Sequence, residues 1–180
     1  SLSSEIEFNC VDTDAFSTEC TFTETKPDQF PLLEEVGRGS LVLQLPTDIP
    51  VAVAFAGEQG SATFDMSDTQ LERISLTVDS GDVLLTLPEY EPQSPNAAEQ
   101  PGEITVSSGD LTVFVPENVN ARLVFDRRGS NIDPEFPPLY IEQRDGVDGV
   151  LRRDNEVGEF TLTYEVTIPG GQLRLDVSGQ

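Results

Sequence analysis

Apolar and polar residues alternate in short runs along most of this chain, and no helical periodicity of useful length interrupts them. Most runs place three apolar residues two, four and six positions after a glycine: Leu41, Leu43, Leu45; Ala62, Phe64, Met66; Val83, Leu85, Leu87; Leu111, Val113, Val115; Leu173, Leu175, Val177. A second alternating run follows most of these: Val51, Val53, Phe55; Ile74, Leu76, Val78; Ile104, Val106; Ala121, Leu123, Phe125. Because alternation with a period of two places the apolar residues on one face of a strand, the pattern predicts an all-β protein.

The runs belong to an internal repeat. Ser80–Tyr90 reads SGDVLLTLPEY and Ser108–Asn118 reads SGDLTVFVPEN, 28 positions further on; RGSLVLQLPTD, from Arg38 to Asp48, is a shorter copy. Glycines recur in phase at Gly39, Gly60, Gly81, Gly109, Gly129, Gly149 and Gly171. The one long step contains the proline-rich residues 88–101, which we predict to form a protruding loop. With about seven of these residues removed, the period is about 21 throughout, which indicates a repeat architecture.

Each unit reads as strand, proline turn, strand and glycine turn. One unit cannot bury its own apolar face, but stacked copies can, with parallel strands about 4.8 Å apart. We therefore predict a single-domain parallel β-solenoid of seven units. The turn residues that the repeat singles out are Gly39, Gly60, Gly81, Asp82, Gly109, Asp110 and Gly171. Glycine suits a corner that needs a positive φ or leaves no room for a Cβ.

The two ends of the chain depart from the repeat. Residues 1–36 are predicted to form an N-terminal cap or connector, and residues 37–180 the repeat domain, since terminal units of repeat proteins are atypical. The run FTLTYEVTI, 160–168, is the strongest single strand. We expect it to pair antiparallel with LRLDV, 173–177, across the Gly-Gly turn, as a hairpin that covers the C-terminal edge.

Cys10 and Cys20 lie on opposite arms of a predicted N-terminal hairpin, because Ile6, Phe8 and Cys10 alternate, as do Cys20 and Phe22. A disulfide across this short loop would stabilise the protein by roughly 2–3 kcal/mol. It would also indicate an oxidising compartment. The alternative is a pair of buried free thiols. We favour the disulfide.

Composition narrows the chemistry. The net charge is −23, from 33 acidic and 10 basic residues, and there is no histidine. Such a surface repels nucleic acid and anionic lipid, so we expect neither as a partner. The acidity serves solubility, suits a high-salt habitat or favours a basic partner. Without histidine the commonest general base is missing, and no G-x-S-x-G elbow, Walker loop or dinucleotide fingerprint is present. We predict that the chain is not an enzyme.

The units SGDVLLTLP and SGDLTVFVP resemble those of the bacterial "putative-adhesin" or toast-rack domains. The resemblance covers residues 38–125 well and 126–180 loosely. It implies a right-handed stack of short parallel strands that faces the cell exterior and is membrane-anchored in the full-length protein. Some members of that family occur at the end of envelope-stress proteins, which regulate two-component systems. The family has no catalytic signature to transfer.

Three groups remain as candidate sites. Asp82 and Asp110 follow equivalent glycines, so they could stack and hold Ca²⁺; the favoured alternative is that each accepts backbone hydrogen bonds in its own turn. The basic doublets Arg127-Arg128 and Arg152-Arg153 could bind an acidic partner or a glycan. The competing interpretation pairs them with the neighbouring acids Asp126, Asp145 and Asp154. Tyr90, in the predicted loop, could anchor a contact.

The function that the sequence favours is a non-enzymatic, extracytoplasmic binding or scaffolding domain of a bacterial cell-envelope protein. Its partner would be a protein or glycan at the cell surface, and it would need no cofactor. Membrane contact would come only through a segment outside this sequence. The alternative is a sensory or regulatory domain of an envelope-stress protein. A carbohydrate-active enzyme is a distant third, because parallel β-solenoids include enzymes that use clustered carboxylates.

Overall fold

The computed structural model describes residues 5–13, 18–25, 42–89, 102–126, 131–132, 137–146, 148–157 and 161–178. Every regular element in these ranges is a strand, so the all-β prediction is confirmed, and no helix there is suited to crossing a membrane. The strands are β1 (Glu5–Asp12), β2 (Thr18–Thr25), β3 (Pro50–Gly57), β4 (Ala62–Asp65), β5 (Gln70–Val78), β6 (Val83–Thr86), β7 (Gly102–Val106), β8 (Leu111–Pro116), β9 (Asn120–Asp126), β10 (Asn131–Ile132), β11 (Tyr140–Asp145), β12 (Asp148–Arg153), β13 (Thr161–Thr167) and β14 (Gln172–Ser178).

The chain forms two compact units, Ser1–Gln44 and Leu45–Gln180. The first contains the antiparallel hairpin of β1 and β2, in which Cys10 is opposite Cys20 and the two are joined by a disulfide with a Cα–Cα distance of 4.1 Å. Phe8 and Phe22 stack beside it with ring centroids 4.6 Å apart, and Phe8 is 60% exposed. The domain boundary predicted after residue 36 lies outside the described residues.

The second unit contains two sheets that share one hydrophobic core. A five-stranded sheet has the order β10-β14-β8-β6-β4, and a seven-stranded sheet has the order β11-β12-β9-β13-β7-β5-β3. Apolar residues from both sheets, such as Ile74 on β5 and Leu85 on β6, are fully buried in the same cluster. The alternation seen in the sequence thus gives each strand one face toward the core.

The chain passes between these sheets in a regular way over β3 to β8. We call a strand of the larger sheet together with the next strand of the smaller sheet a rung. β3–β4, β5–β6 and β7–β8 are the first three rungs, and each strand pairs in parallel with its equivalent in the next rung. This part has the parallel stacking that the repeat predicted.

The last two strands are placed differently from the prediction. β13 pairs in parallel with β7 on one side and β9 on the other, and β14 pairs in parallel with β8 and β10. The predicted antiparallel C-terminal hairpin is therefore wrong. β13 and β14 belong to different sheets, and together they form the fourth rung, inserted between the third rung and a fifth made by β9 and β10.

The larger sheet is also not purely parallel, so the prediction of one parallel β-solenoid is right only in part. β12 pairs antiparallel with β9, and β11 pairs antiparallel with β12 at the edge. Gly149 fits the glycine period but lies within β12, opposite Phe125. Its fit to the glycine period did not reflect a corner, because the chain forms an ordinary hairpin there.

The first predicted unit does not form its strand in the described residues. Residues 42–46 have no strand assignment, and Leu43, expected in the core, is 49% exposed. Leu45 is the exception, since it packs against the core. Gly39 and Leu41 lie outside the described residues, as does Gly129.

Candidate functional site

The glycine corners form a column that ties four rungs together. A Cβ on Gly81 would lie 2.1 Å from the carbonyl oxygen of Gly60, and one on Gly109 would lie 2.2 Å from that of Gly81. A Cβ on Gly171 would lie 1.6 Å from the carbonyl oxygen of Gly109. Gly60, Gly81 and Gly109 also have a positive backbone φ, which residues other than glycine rarely adopt. These residues are needed for close backbone stacking.

Asp82 and Asp110 lie beside this column and hydrogen-bond from rung to rung. The backbone N–H of Asp110 donates to Oδ1 of Asp82 at 3.0 Å, and the N–H of Gln172 donates to Oδ1 of Asp110 at 2.9 Å. The expected bond to the residue's own turn is thus replaced by one to the turn of the next rung. In each of these two carboxylates, Oδ1 therefore accepts a hydrogen bond from the backbone of a neighbouring rung. No group of three or more acidic or cysteine side chains suited to a metal ion occurs in the described ranges.

Of the two predicted basic doublets, only Arg152-Arg153 lies within the described residues. Arg127 and Arg128 lie outside the described residues, as does Tyr90 with most of the 88–101 loop. Arg153 donates from Nε to the carbonyl of Asn155 at 2.9 Å and from Nη1 to the carbonyl of Glu117. Its hydrogen-bond partners are therefore backbone carbonyls and not the neighbouring aspartates that the competing interpretation named.

Arg152 has a neighbour that the sequence did not reveal. It lies directly opposite Arg122 in the β9–β12 pair, and both side chains are half-buried. Arg122 sits in ARLVFD, 121–126, where it looks like any outward polar position of a strand. Only the antiparallel register of β12 brings the two together, and nothing in the repeat predicts that register.

Tyr140 places a polar group inside the core. The residue is buried, and its hydroxyl makes no hydrogen bond in the part of the chain that is described. Burial raises the pKa of Tyr140 to about 12, and the nearby Ala121 backbone and Arg153 charge offset only part of that rise. Tyr164 is also buried, and burial raises its pKa. These hydroxyls stay neutral at physiological pH, so they contribute no charge to a surface site.

Comparison with known proteins gives one structural likeness. No family profile and no curated protein matches the chain. The crystal structure of a protein from Clostridium sporogenes, described as a putative cell adhesion protein, superimposes with a TM-score of 0.69 at 15% identity. The match covers 98% of this chain and 77% of that one. At this identity the likeness concerns the fold.

Proposed function

We propose that this chain is a non-enzymatic binding or scaffolding domain that works outside the cytoplasm, as part of a bacterial cell-envelope protein. The observation that carries the proposal is the fold that it shares, over 98% of its length, with a protein described as a putative cell adhesion protein. A shared fold is an analogy for function and not evidence of a particular site. The proposal therefore depends on what the individual residues add.

The disulfide supports an extracytoplasmic location. Cys10 and Cys20 are bonded, and such bonds persist in oxidising compartments and are rare in the cytosol. The surrounding strands carry acidic and threonine side chains, which suit an exposed, soluble hairpin. We infer that the domain reaches the cell surface or the periplasm, anchored by a segment outside this sequence.

The rungs support a scaffolding role. The glycine column and the two inter-rung aspartates fix the backbone of neighbouring rungs in close contact, which holds the outward side chains at set spacings. We interpret β3 to β8 with the inserted β13 and β14 as an interrupted β-solenoid of the toast-rack kind. The domain would act through its shape, without a cofactor, and its partner would be a surface protein or glycan.

Adhesion and location test the proposal together. The purified chain, coupled to beads, should bind bacterial or host cell surfaces more strongly than beads that carry heat-unfolded chain. In the bacterium that makes the protein, Cys10 and Cys20 should resist alkylation until a reductant is added, whereas free cytosolic cysteines react at once. Free thiols in the native host, or hydrolysis of any member of a polysaccharide panel, would contradict the proposal. Normal location without adhesion would favour the sensory alternative.

A further inference from the structure

Arg122 and Arg152 form a pair of adjacent positive charges on the outer face of the larger sheet. Arg122 lies between Ala121 and Leu123, which are both buried in the core, so its side chain points to the opposite face. Arg152 is its direct antiparallel partner and lies on the same face. Side chains that are directly opposite in such a pair have Cβ atoms about 5 Å apart.

Neither guanidinium makes a hydrogen bond or an ion pair within the part of the chain that the structure describes. Other arginines on these sheets form ion pairs. Nη2 of Arg73 lies 3.9 Å from Oε1 of Glu103, and Nε of Arg174 lies 3.1 Å from Oδ2 of Asp176. Like charges directly opposite each other destabilise a sheet. Two such charges with no partner among the described residues are unexpected in a chain of net charge −23, which has acidic residues in excess. An anion bound between them would remove this repulsion and satisfy several N–H donors.

The residues around the pair indicate what else such an anion would carry. In register beside them lie Ile141 on β11 and Thr163 on β13, and Val124 follows Arg122 on the same face. Ile141, Val124 and Thr163 are half-buried and uncharged. Two carboxylates lie near the pair: Glu165 is opposite Val124, and Asp154 follows Arg152 by two positions. Neither makes an ion pair with Arg122 or Arg152. The site thus combines two guanidinium groups with an apolar border and one hydroxyl.

The charge of the whole molecule limits the ligand further. A net charge of −23 repels polyanions, so the negative potential of the protein would oppose the binding of an acidic peptide or a heavily sulfated glycan. A single carboxylate in an otherwise neutral molecule meets far less repulsion. The planar fork of arginine matches a carboxylate in a bidentate way. The C–H face of a sugar ring suits the apolar border that Ile141 and Val124 provide.

We propose that Arg122 and Arg152 bind the carboxylate of an acidic sugar residue within a largely neutral glycan. This inference rests on the proposed binding function and names its ligand class. Arg152 alone, or the doublet Arg152-Arg153, does not make the site, because Arg153 lies on the other face of the strand and donates to backbone carbonyls. The site needs the pairing of β9 with β12.

Methyl glucuronide and methyl glucoside test the inference, since they differ only in the carboxylate. NMR titration of the isotope-labelled whole chain should show methyl glucuronide shifting the Arg122 and Arg152 Nε–H signals, with methyl glucoside at least roughly tenfold weaker. Arg122→Gln and Arg152→Gln should each weaken glucuronide binding roughly ten- to hundredfold. Arg73→Gln, on the same sheet, is the matched control and should leave the affinity unchanged.

A second measurement guards against misfolding of the variants. Because Arg122→Gln removes a like-charge contact, its urea midpoint without ligand should equal or exceed that of the parent chain. Equal binding of glucoside and glucuronide, equal loss in Arg73→Gln, or tighter binding of methyl glucoside 6-sulfate would each overturn the inference. If beads that carry Arg122→Gln still adhere to cells as well as the parent chain, this site falls while the adhesive function stands.

Discussion

β3 to β8 and β9 to β14 are built from the same kind of strand, yet they are stacked by different rules. In the first region each rung lies on the one that precedes it in sequence, with parallel pairing throughout. In the second region, β9 does not pair with β7, and β12 runs antiparallel to both β9 and β11. β13 and β14 occupy the level between the third rung and β9.

The difference shows that a repeat defines the rung but not its position. Leu173 and Leu175 on β14 extend the same apolar columns as Leu111 and Val113 on β8, with which they pair. Each rung presents the same alternating pattern to both its neighbours, so any rung can follow any other. The order of the rungs therefore depends on features outside the repeat.

Deletion of residues 161–180 has the largest expected effect, because it removes the fourth rung from the middle of the stack. Leu162, Tyr164, Val166, Leu173 and Leu175 are all buried. At about 1.5–3 kcal/mol each, their loss matches the entire stability of about 5–15 kcal/mol of a typical domain. We expect the shortened chain to lose its strand signal in circular dichroism and its cooperative urea transition.

Deletion of residues 1–41 is the control for that experiment. It removes most of the first compact unit, Ser1–Gln44, and leaves every strand of the second. Because all strand pairs of the second unit remain, the shortened chain should still unfold in one cooperative urea transition. A chain of residues 1–160 that still unfolded cooperatively at the parent midpoint would show that β13 and β14 are peripheral, and the distinction between the two regions would collapse.

Glycine-to-alanine changes compare the corners of the two regions. Gly109→Ala places a Cβ 2.2 Å from the carbonyl oxygen of Gly81, and Gly171→Ala places one 1.6 Å from that of Gly109. Both overlaps are with backbone, so we expect losses of more than about 4 kcal/mol in the free energy of unfolding. Gly60→Ala has nothing within 4 Å and only its φ of +114° to strain it, so it should cost about 1–3 kcal/mol.

Urea denaturation of the three variants gives the ranking. If Gly171→Ala costs as much as Gly109→Ala, the inserted rung and the regular rungs unfold as one cooperative unit. If Gly171→Ala costs no more than Gly60→Ala, the fourth rung can separate from the third without loss of the rest.

Local features of the fold could be predicted from the sequence, and long-range ones could not. Strands β6 (Val83–Thr86) and β8 (Leu111–Pro116) follow from alternation, and the corners at Gly81 and Gly109 follow from the period. The hairpin predicted for 160–177 failed because Gly170-Gly171 suits a corner between sheets as well as a hairpin turn. Arg122 went unnoticed because its pairing with Arg152 depends on a register 30 residues away.

The smallest expected effect is a loss of stability at alkaline pH through Tyr140, which lies on β11 in the second region. The pKa of Tyr140 is raised from 10.0 to about 12, so the folded state holds its proton more tightly than the unfolded state. Stability is therefore full below pH 10 and is lost as the pH rises toward 12, by about 2–3 kcal/mol at most. Tyr140→Phe should remove that part of the loss, measured as urea midpoints at pH 8 and pH 11.

The same variant should be more stable than the parent at pH 8 by about 1 kcal/mol, because it removes a buried hydroxyl that has no partner among the described residues. Tyr164, whose pKa is also raised, would keep a residual alkaline loss in the Tyr140→Phe variant. An unchanged alkaline loss in that variant would show that Tyr140 titrates as an ordinary exposed tyrosine.

The level that β9 leaves vacant has a consequence for biosynthesis. Until Thr161–Ser178 has been made, β9 has no parallel partner, and the third rung has an uncovered edge. The nascent chain therefore cannot complete its fold from the N-terminus as it emerges, whereas an ordinary stack of rungs can grow one turn at a time. The stack therefore folds as a whole only once Thr161–Ser178 is present, so its order of assembly cannot follow the order of synthesis.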